Sequence, residues 1–378
     1  MDFGLTRTQQ LWQKAVREFA ERRLAPRAVA LDDGGQLPRE LVKEMGSMGY
    51  LGVVTPEEHG GTALGHVARM LMIEEISRVY PPFGFFYQAA HLGIYALEQY
   101  GSDRQKERYL ASLVSGDTVS CMAVTEQTGG SDPANMRTRA RPSGGDWVLS
   151  GRKAFITLGK EAEVCLVLAR TGQEGFSVFL VEKGTPGFNV TRREAHMGMR
   201  SVPVYEMEFD GCRVPGENLV GTEGRGLGAA LSVIAEIGRT GAIAVALGIA
   251  RGALDMALGF ARQRELYGKP IASFQGIQFM LADMDTQYHA ARLLGYLAAS
   301  LLDQGKKGKE IALEISRAKV FGCEAAMANA TRAIQIHGAC ATTPEYGLGR
   351  RMADALELLA AGGTQEIMRV TIAKGLVG

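Results

Sequence analysis

Several short stretches carry residues whose types and spacing suit binding chemistry. "CMAVTEQTGGSD" (Cys121–Asp132) runs from apolar residues into a polar loop. There Thr125, Gly130 and Ser131 offer hydroxyls, amides and close backbone approach, the means by which a loop grips a cofactor. "GRKAFITLG" (Gly151–Gly159) reads as a strand that presents Thr157. "ARQRELYGKPIASFQGIQFMLADM" joins a basic helix end, a Tyr-Gly-Lys-Pro break and a new amphipathic helix. Arg264 suits an anion there, and Gln275 a polar group. Each stretch also has a plainer reading: a turn, an ordinary strand, a helix hairpin. Glu236 precedes Arg239 by three residues on one helical face, as its ion partner or as an acid–base group. His91, in "FFYQAAHLGIY", starts a helix, as a structural or capping residue or as a base. Tyr87 is a weaker candidate, because an unperturbed phenol is a poor base at neutral pH.

The elements that must position these residues fall into three blocks. Residues 1–118 read as helices, with Leu11, Ala15, Phe19 and Ala20 at helical spacing and Pro38 expected at the first turn of the next helix. Residues 119–227 contain short β-rich runs, "TVSCMAV", "DWVLSGRKAFITLG", "EVCLVLARTG", "FSVFLVEKG" and "VYEMEFDGCRV", which suggest an antiparallel sheet or small barrel. Residues 228–378 return to long Ala-rich helices, apolar on several sides, as in a bundle core, with further helices in 274–303, 309–337 and 344–377. The fold class is therefore α+β: helices, then sheet, then helical bundle.

Composition narrows the function. Lys plus Arg at 42 nearly cancels Asp plus Glu at 41, so nothing marks a general nucleic-acid or membrane-surface binder, although local basic patches for a phosphorylated ligand are compatible with it. The five cysteines have neither metal-ligand nor redox spacing and read as reduced, mostly buried thiols; no metal is expected. The amphipathic N-terminus lacks the features of a secretory signal, and no run reads as long enough to span a bilayer, so a cytoplasmic enzyme is expected.

In register, these segments resemble the acyl-CoA dehydrogenase family over essentially the whole chain. "TEQTGGSD" is similar to its Thr-Glu-Pro…Gly-Ser-Asp loop and "GRKAFIT" to its Gly-x-Lys-x-aromatic-Ile-Thr strand. "GMRSVPVYEMEFDGCRVPGENLVG", "RELYGKPIASFQGIQFMLADM" and "GGTQEI" resemble further family segments. The resemblance implies a homotetramer that binds FAD and oxidises an acyl-CoA or carrier-bound thioester, passing electrons to an electron-transfer flavoprotein or similar acceptor. It implies that Thr125, Gly130, Ser131 and Thr157 surround the flavin, and that Phe155 and Ile156 line its ring. Arg264, Leu266, Tyr267 and Gln275 would contact FAD across a subunit interface, with Gln335, Gly338 and Ala339. Thr364 and Glu366 would contact it at the C-terminal turn. Ser131, Glu236, Arg239, Gly362 and Gly363 would face the thioester. Departures from the family pattern are Gln127 for proline, Leu158 for asparagine, and Ala339 and Ala341 for glycines.

The largest departure concerns the base. The family removes a proton α to the thioester with a glutamate, either two residues before the threonine of "GGTQEI" or immediately before the arginine matched by Arg239. Here those positions are Gly362 and Gly238. The Gly362 N–H can still polarise the thioester carbonyl. His91 and Glu236 are the candidate substitutes. A relocated base suits a cyclic or enoyl acyl group and a 1,4-type elimination. The alternatives are a redox-neutral, desulfinase-like lyase and a flavin-binding subunit of low activity.

Overall fold

Two capping boxes open helices in the N-terminal third. Thr6 and Ser102 each accept a hydrogen bond from the backbone N–H three residues on, and the Gln9 and Gln105 side-chain oxygens accept from the backbone N–H of Thr6 and Ser102. The computed structural model describes residues 4–173 and 175–377. Met1–Phe3, Glu174 and Gly378, which belong to the expected N-terminal, middle and C-terminal blocks, lie outside the described residues. Six α-helices come first: α1 (Arg7–Phe19), α2 (Ala28–Gly34), α3 (Arg39–Ser47), α4 (Gly65–Val79), α5 (Pro81–Tyr100) and α6 (Asp103–Val114). Pro38 stands just outside α3 as its N-cap. His91 does not start a helix; it lies at the middle of α5, which Pro81 opens. The segment before His91 is buried nearly all round, so no polar face marks its period in the sequence.

The middle of the chain forms one eight-stranded sheet: β1 (Ser120–Ala123), β2 (Arg139–Ser143), β3 (Asp146–Thr157), β4 (Val164–Arg170), β5 (Phe176–Glu182), β6 (Phe188–Arg193), β7 (Val204–Val214) and β8 (Leu219–Val220). The order is β6-β7-β3-β2-β4-β5-β8, with β1 beside β4. The sheet is mixed, because β1 and β2 run parallel to β4 while the other pairs are antiparallel. The sequence reading missed β2, β6 and β8. β2 and β6 are mostly exposed edge-like runs rich in arginine, and β8 is two residues long, so none shows the apolar alternation of a half-buried strand.

The last part is helical: α7 (Gly226–Val233), a π-helical segment (Ile234–Arg239), α8 (Thr240–Gln263), α9 (Gln275–Asp303), α10 (Lys309–His337), α11 (Leu348–Glu357) and α12 (Gln365–Val377). Helices α8, α9, α10 and α12 form the bundle, and the expected helical window 344–377 is broken by the turn between α11 and α12. The continuous helix Gly226–Gln263 corrects the expectation that no run could span a bilayer. By length and composition it is long and apolar enough, with a mean hydropathy of 1.6 in its most apolar window. However, 83% of that window is buried against the rest of the protein, so its apolar faces serve the bundle. All five cysteines are free, and four are buried.

Candidate active site

A buried ion pair sets the polar loop. Lys153 on β3 is 1% exposed, and its ammonium donates to Glu126 Oε1 and to the Val124 carbonyl, both at 3.0 Å. The Glu126 carboxylate also accepts from the N–H groups of Arg137 (2.7 Å) and Thr138 (3.0 Å). Burial pulls the lysine down from its ordinary range, and Glu126 offsets part of that. Burial pushes Glu126 up, but Lys153 and the two N–H groups outweigh it and hold the carboxyl below its usual range. The pair clamps both ends of the loop, and the Ala154 N–H donates to the Thr125 carbonyl at 2.9 Å. Neither Glu126 nor Lys153 stood out in the sequence. The strand also carries Asp146, Ser150 and Arg152, so one more charged residue in it gave no signal of burial.

The same strand bulges between Lys153 and Ile156. Phe155 sits in the bulge with φ of +57° and its ring 59% exposed, while Ile156 turns into the core at 2%. A bulky residue in this conformation is uncommon, and such outliers gather at ligand sites. Ile156 therefore does not offer its side chain beside Phe155 as expected. The hydroxyls of Thr125, Ser131 and Thr157 make no hydrogen bond within the described residues. Free hydroxyls beside an exposed aromatic shelf fit a ring-bearing cofactor with polar edges. Phe155 meets the His196 ring edge-on at 6.5 Å, and His196 Nδ1 pairs with Glu357 of α11 at 3.2 Å. The sheet is thus coupled to the helix that runs into Gly362.

The two glycines meet. A Cβ at Gly362 would lie 3.7 Å from the Gly238 carbonyl carbon and 3.7 Å from Arg239 Cγ. Gly362 has φ of +69°, and its N–H makes no hydrogen bond within the described residues, so the donor needed for a thioester oxygen is free. Its carbonyl accepts from Arg239 Nε at 3.0 Å. Burial lowers the Arg239 guanidinium from its ordinary value. Thr364 caps α12, accepting the Ile367 N–H at 3.3 Å, and Glu366 is exposed in the first turn.

Glu236 lies in the π-helical segment and is 6% exposed. The Tyr95 hydroxyl donates to its Oε2 and the Ser232 hydroxyl to its Oε1, both at 2.6 Å. Its carboxylate is thus aimed by two hydroxyls rather than by Arg239, which donates to the Gly362 carbonyl.

His91 fails as a base on geometry. It is fully buried; Arg69 Nε donates to its Nδ1 at 2.9 Å, and its Nε2 faces the Tyr50 carbonyl at 3.1 Å. Both ring nitrogens are occupied, and burial followed by the Arg69 charge pushes the imidazole well below its usual range. Arg69, on α4, also donates to Thr240 Oγ1 and to the Ile237 carbonyl, tying α4, and through His91 α5, to the π-helical segment and the start of α8. Gln88, one turn before His91, was overlooked in the sequence. It is 5% exposed, its side-chain amide makes no hydrogen bond within the described residues, and a Cβ at Gly238 would lie 3.4 Å from its Nε2. An uncharged glutamine carries no signal of this kind in sequence alone.

The remaining expected cofactor contacts lie elsewhere in the chain. Arg264, Leu266, Tyr267 and Gln275 are exposed, Tyr267 by 94%. Gln335, Gly338 and Ala339 are exposed near the end of α10, while His337 between them is buried and stacked on Phe260 at 4.2 Å. The 24 residues of α8 separate Arg264 from Arg239 by about 36 Å at 1.5 Å per residue. One subunit therefore does not bring this group to Gly362. A separate polar pocket of ≈ 300 Å³ lies among α1, α4, α8 and α9, and its acids are satisfied: Glu74 by Tyr288, Tyr296 and Arg292, Glu75 by Gln13, Arg17 and Arg78.

A helical domain, a middle sheet carrying the aromatic shelf, and a helical bundle with a free amide at its C-terminal turn define a flavin oxidoreductase of acyl thioesters. The chain belongs to the acyl-CoA dehydrogenase family: residues 6–117 match the N-terminal domain, 121–212 the middle domain and 224–377 the C-terminal domain. It is 39% identical over 380 residues to an acyl-CoA dehydrogenase of Bacillus subtilis (strain 168), covering 99% of each chain. It is similar to butyryl-CoA dehydrogenase from Megasphaera elsdenii, with 34% identity, a TM-score of 0.96 and 100% of each chain covered. It also resembles a glutaryl-CoA dehydrogenase from Mycobacterium smegmatis in complex with FADH2, with 31% identity, a TM-score of 0.94, and 99% of this chain and 95% of that one covered. FAD is the family's cofactor, and the shelf around Phe155 fits it.

Proposed function

We propose that this enzyme dehydrogenates an acyl-CoA thioester with its base moved to Glu236, on a cyclic or enoyl acyl group whose acidic carbon lies away from the usual position. The observation that carries this reading is the paired glycines, Gly238 and Gly362, with a carboxylate two residues before Gly238 in the same π-helical segment held by Tyr95 and Ser232. Bound FAD supplies the hydride acceptor. The Gly362 N–H holds the thioester oxygen and favours charge that develops there. Arg239 fixes the Gly362 turn through its carbonyl. Glu236 receives the proton, and a carbon–carbon double bond forms. Gln88 and Leu92 stand where a carboxylate side chain on Gly238 would project, and they bound that side of the site.

The exposed Arg264–Tyr267 segment and Gln275 complete the cofactor site of a neighbouring copy, which makes the assembly a homotetramer. Electrons then leave to an electron-transfer flavoprotein or a similar acceptor, in the cytoplasm. The test is anaerobic mixing of flavin-loaded enzyme with saturated, enoyl and cyclic acyl-CoAs, followed by product analysis. Bleaching by a cyclic or enoyl thioester is expected. A panel without bleaching would sink the reading. Product release with the flavin spectrum unchanged would establish the redox-neutral lyase instead, a reading that the absence of a carboxylate at both glycine positions also favours.

A further inference from the structure

Gln88, Leu92 and Tyr95 share one face of α5, at the i, i+4 and i+7 spacing of a helix. That face packs on the π-helical segment and the start of α8. Tyr95 donates to Glu236, Leu92 Cδ2 stands 3.4 Å from a Cβ built at Gly238, and Gln88 reaches both Gly238 and Gly241. Tyr95 is satisfied by its carboxylate, and Leu92 needs no partner. Gln88 differs: it is 5% exposed, and its side-chain amide makes no hydrogen bond within the described residues. Leaving a buried amide without partners costs about 1–3 kcal/mol, so its partner is expected to come with whatever occupies the site.

Beside Gln88 lies a cation that lacks an acid. Arg69 on α4 is 2% exposed and donates to His91, Thr240 and the Ile237 carbonyl, none of them anionic. It has no ion pair within the described residues, and burial draws its guanidinium down to about 9. A Cβ at Gly241 would lie 2.5 Å from Gln88 Cγ and 2.9 Å from Arg69 Nη2, so amide and guanidinium stand side by side. A buried cation of this kind favours an oxygen dipole or a negative charge nearby. Gln88 Nε2 is 3.4 Å from the Cβ position of Gly238, whose carbonyl carbon is 3.7 Å from the Cβ position of Gly362. With about 2.5 Å between a Cβ and its own carbonyl carbon, Gln88 Nε2 lies within about 10 Å of the Gly362 turn. A short acyl group or a single ring spans that distance from a thioester held by the Gly362 N–H. We propose that Gln88 determines specificity for acyl groups that carry an oxygen acceptor, a ketone or a carboxylate, at the end away from the thioester. The amide donates to that oxygen, and the charge of Arg69 favours it. This rests on the acyl-thioester reading above and deepens it.

The test uses flavin-loaded enzyme and two matched pairs of thioesters. One pair is cyclohexanecarboxyl-CoA and its 4-oxo derivative; the other is pentanoyl-CoA and glutaryl-CoA. Affinity is read from the perturbation of the flavin spectrum, which needs no turnover. Wild type should bind the oxygen-bearing member of at least one pair about tenfold more tightly than its parent, and Gln88→Leu should lose that difference. Which pair responds separates a ketone from a carboxylate. Equal affinity within both pairs in wild type would overturn the proposal, and that result needs no variant to fold. A preference that survives in Gln88→Leu would overturn it too. Preference that depends on Gln88 without bleaching would uphold the specificity while removing the dehydrogenation assigned above. Bleaching with no preference within either pair would do the reverse.

Discussion

The Arg239 guanidinium donates from Nε to the Gly362 carbonyl at 3.0 Å, and this bond links the two halves of the candidate site. It joins the π-helical segment of the bundle to the turn before α12, placing Gly238 and Gly362 side by side. Two positions 124 residues apart in sequence thus address one space.

That adjacency makes the two glycines unequal as sites for a restored base. At Gly238 the nearest atoms to a new Cβ are Gln88 Nε2 and Leu92 Cδ2 at 3.4 Å, and the backbone is not left-handed. At Gly362 the nearest atoms stand at ordinary van der Waals distance, 3.7 Å, but φ is +69°. Gly362→Glu should cost about 1–2 kcal/mol of stability for the left-handed backbone, and Gly238→Glu less. Both should gain activity on a short linear saturated acyl-CoA. Thermal unfolding and anaerobic flavin bleaching check the two halves of this prediction.

Glu236→Gln should keep the Tyr95 hydrogen bond, because an amide oxygen still accepts it, and the amide NH2 can donate to Ser232. The fold should therefore persist. Loss of the base should lower kcat about 100-fold or more, with little change in KM. A rise in KM with kcat intact would assign Glu236 to holding the pantetheine arm instead. Steady-state kinetics with the substrate found by bleaching distinguish the two.

Breaking the ion pair beneath the polar loop should be costly. Lys153→Met leaves Glu126 buried beside two N–H donors but without its cation, and should lose about 3–5 kcal/mol. Because Glu126 fixes Arg137, Thr138 and the Thr125 loop, flavin retention should fall as well. The measurements are a denaturation midpoint and the flavin-to-protein absorbance ratio after gel filtration. Unchanged values in both would remove the clamp from the site.

Asp354 on α11 is buried and accepts the Met199 N–H at 2.6 Å. Burial pushes its carboxyl up to about 7 despite that bond, with Asp32 pushing the same way and Arg351 and Arg350 opposing. The native state therefore binds this proton more tightly than the unfolded chain does. Its stabilisation is complete below about pH 4 and is lost as pH rises from there through about 7. Asp354→Asn can still accept from Met199 and carries no charge. It should gain stability relative to wild type on going from pH 5 to pH 8.5. Paired melting curves at the two pH values check this, and a difference that stays constant or reverses would refute it.

The sequence by itself determined the order of helices, sheet and helical bundle, and the absence of a carboxylate at both positions where the family carries its base. These are properties of local pattern, such as helical period in "TRTQQLWQKAVREF", β-rich runs in "EVCLVLARTG", and residue identity in "GGTQEI". It could not determine β2 and β6, whose polar residues form strands only because β3, β4 and β7 supply hydrogen-bond partners. Nor could it decide between candidate bases. His91 was attractive as a type, but Arg69 and the Tyr50 carbonyl, 22 and 41 residues away, occupy both of its nitrogens. Gln88 and Lys153 were silent as types and are placed at the site by packing. Burial and hydrogen-bond partnership arise between segments distant in the chain. They decide which titratable groups are free to act, so that choice was left to the tertiary structure.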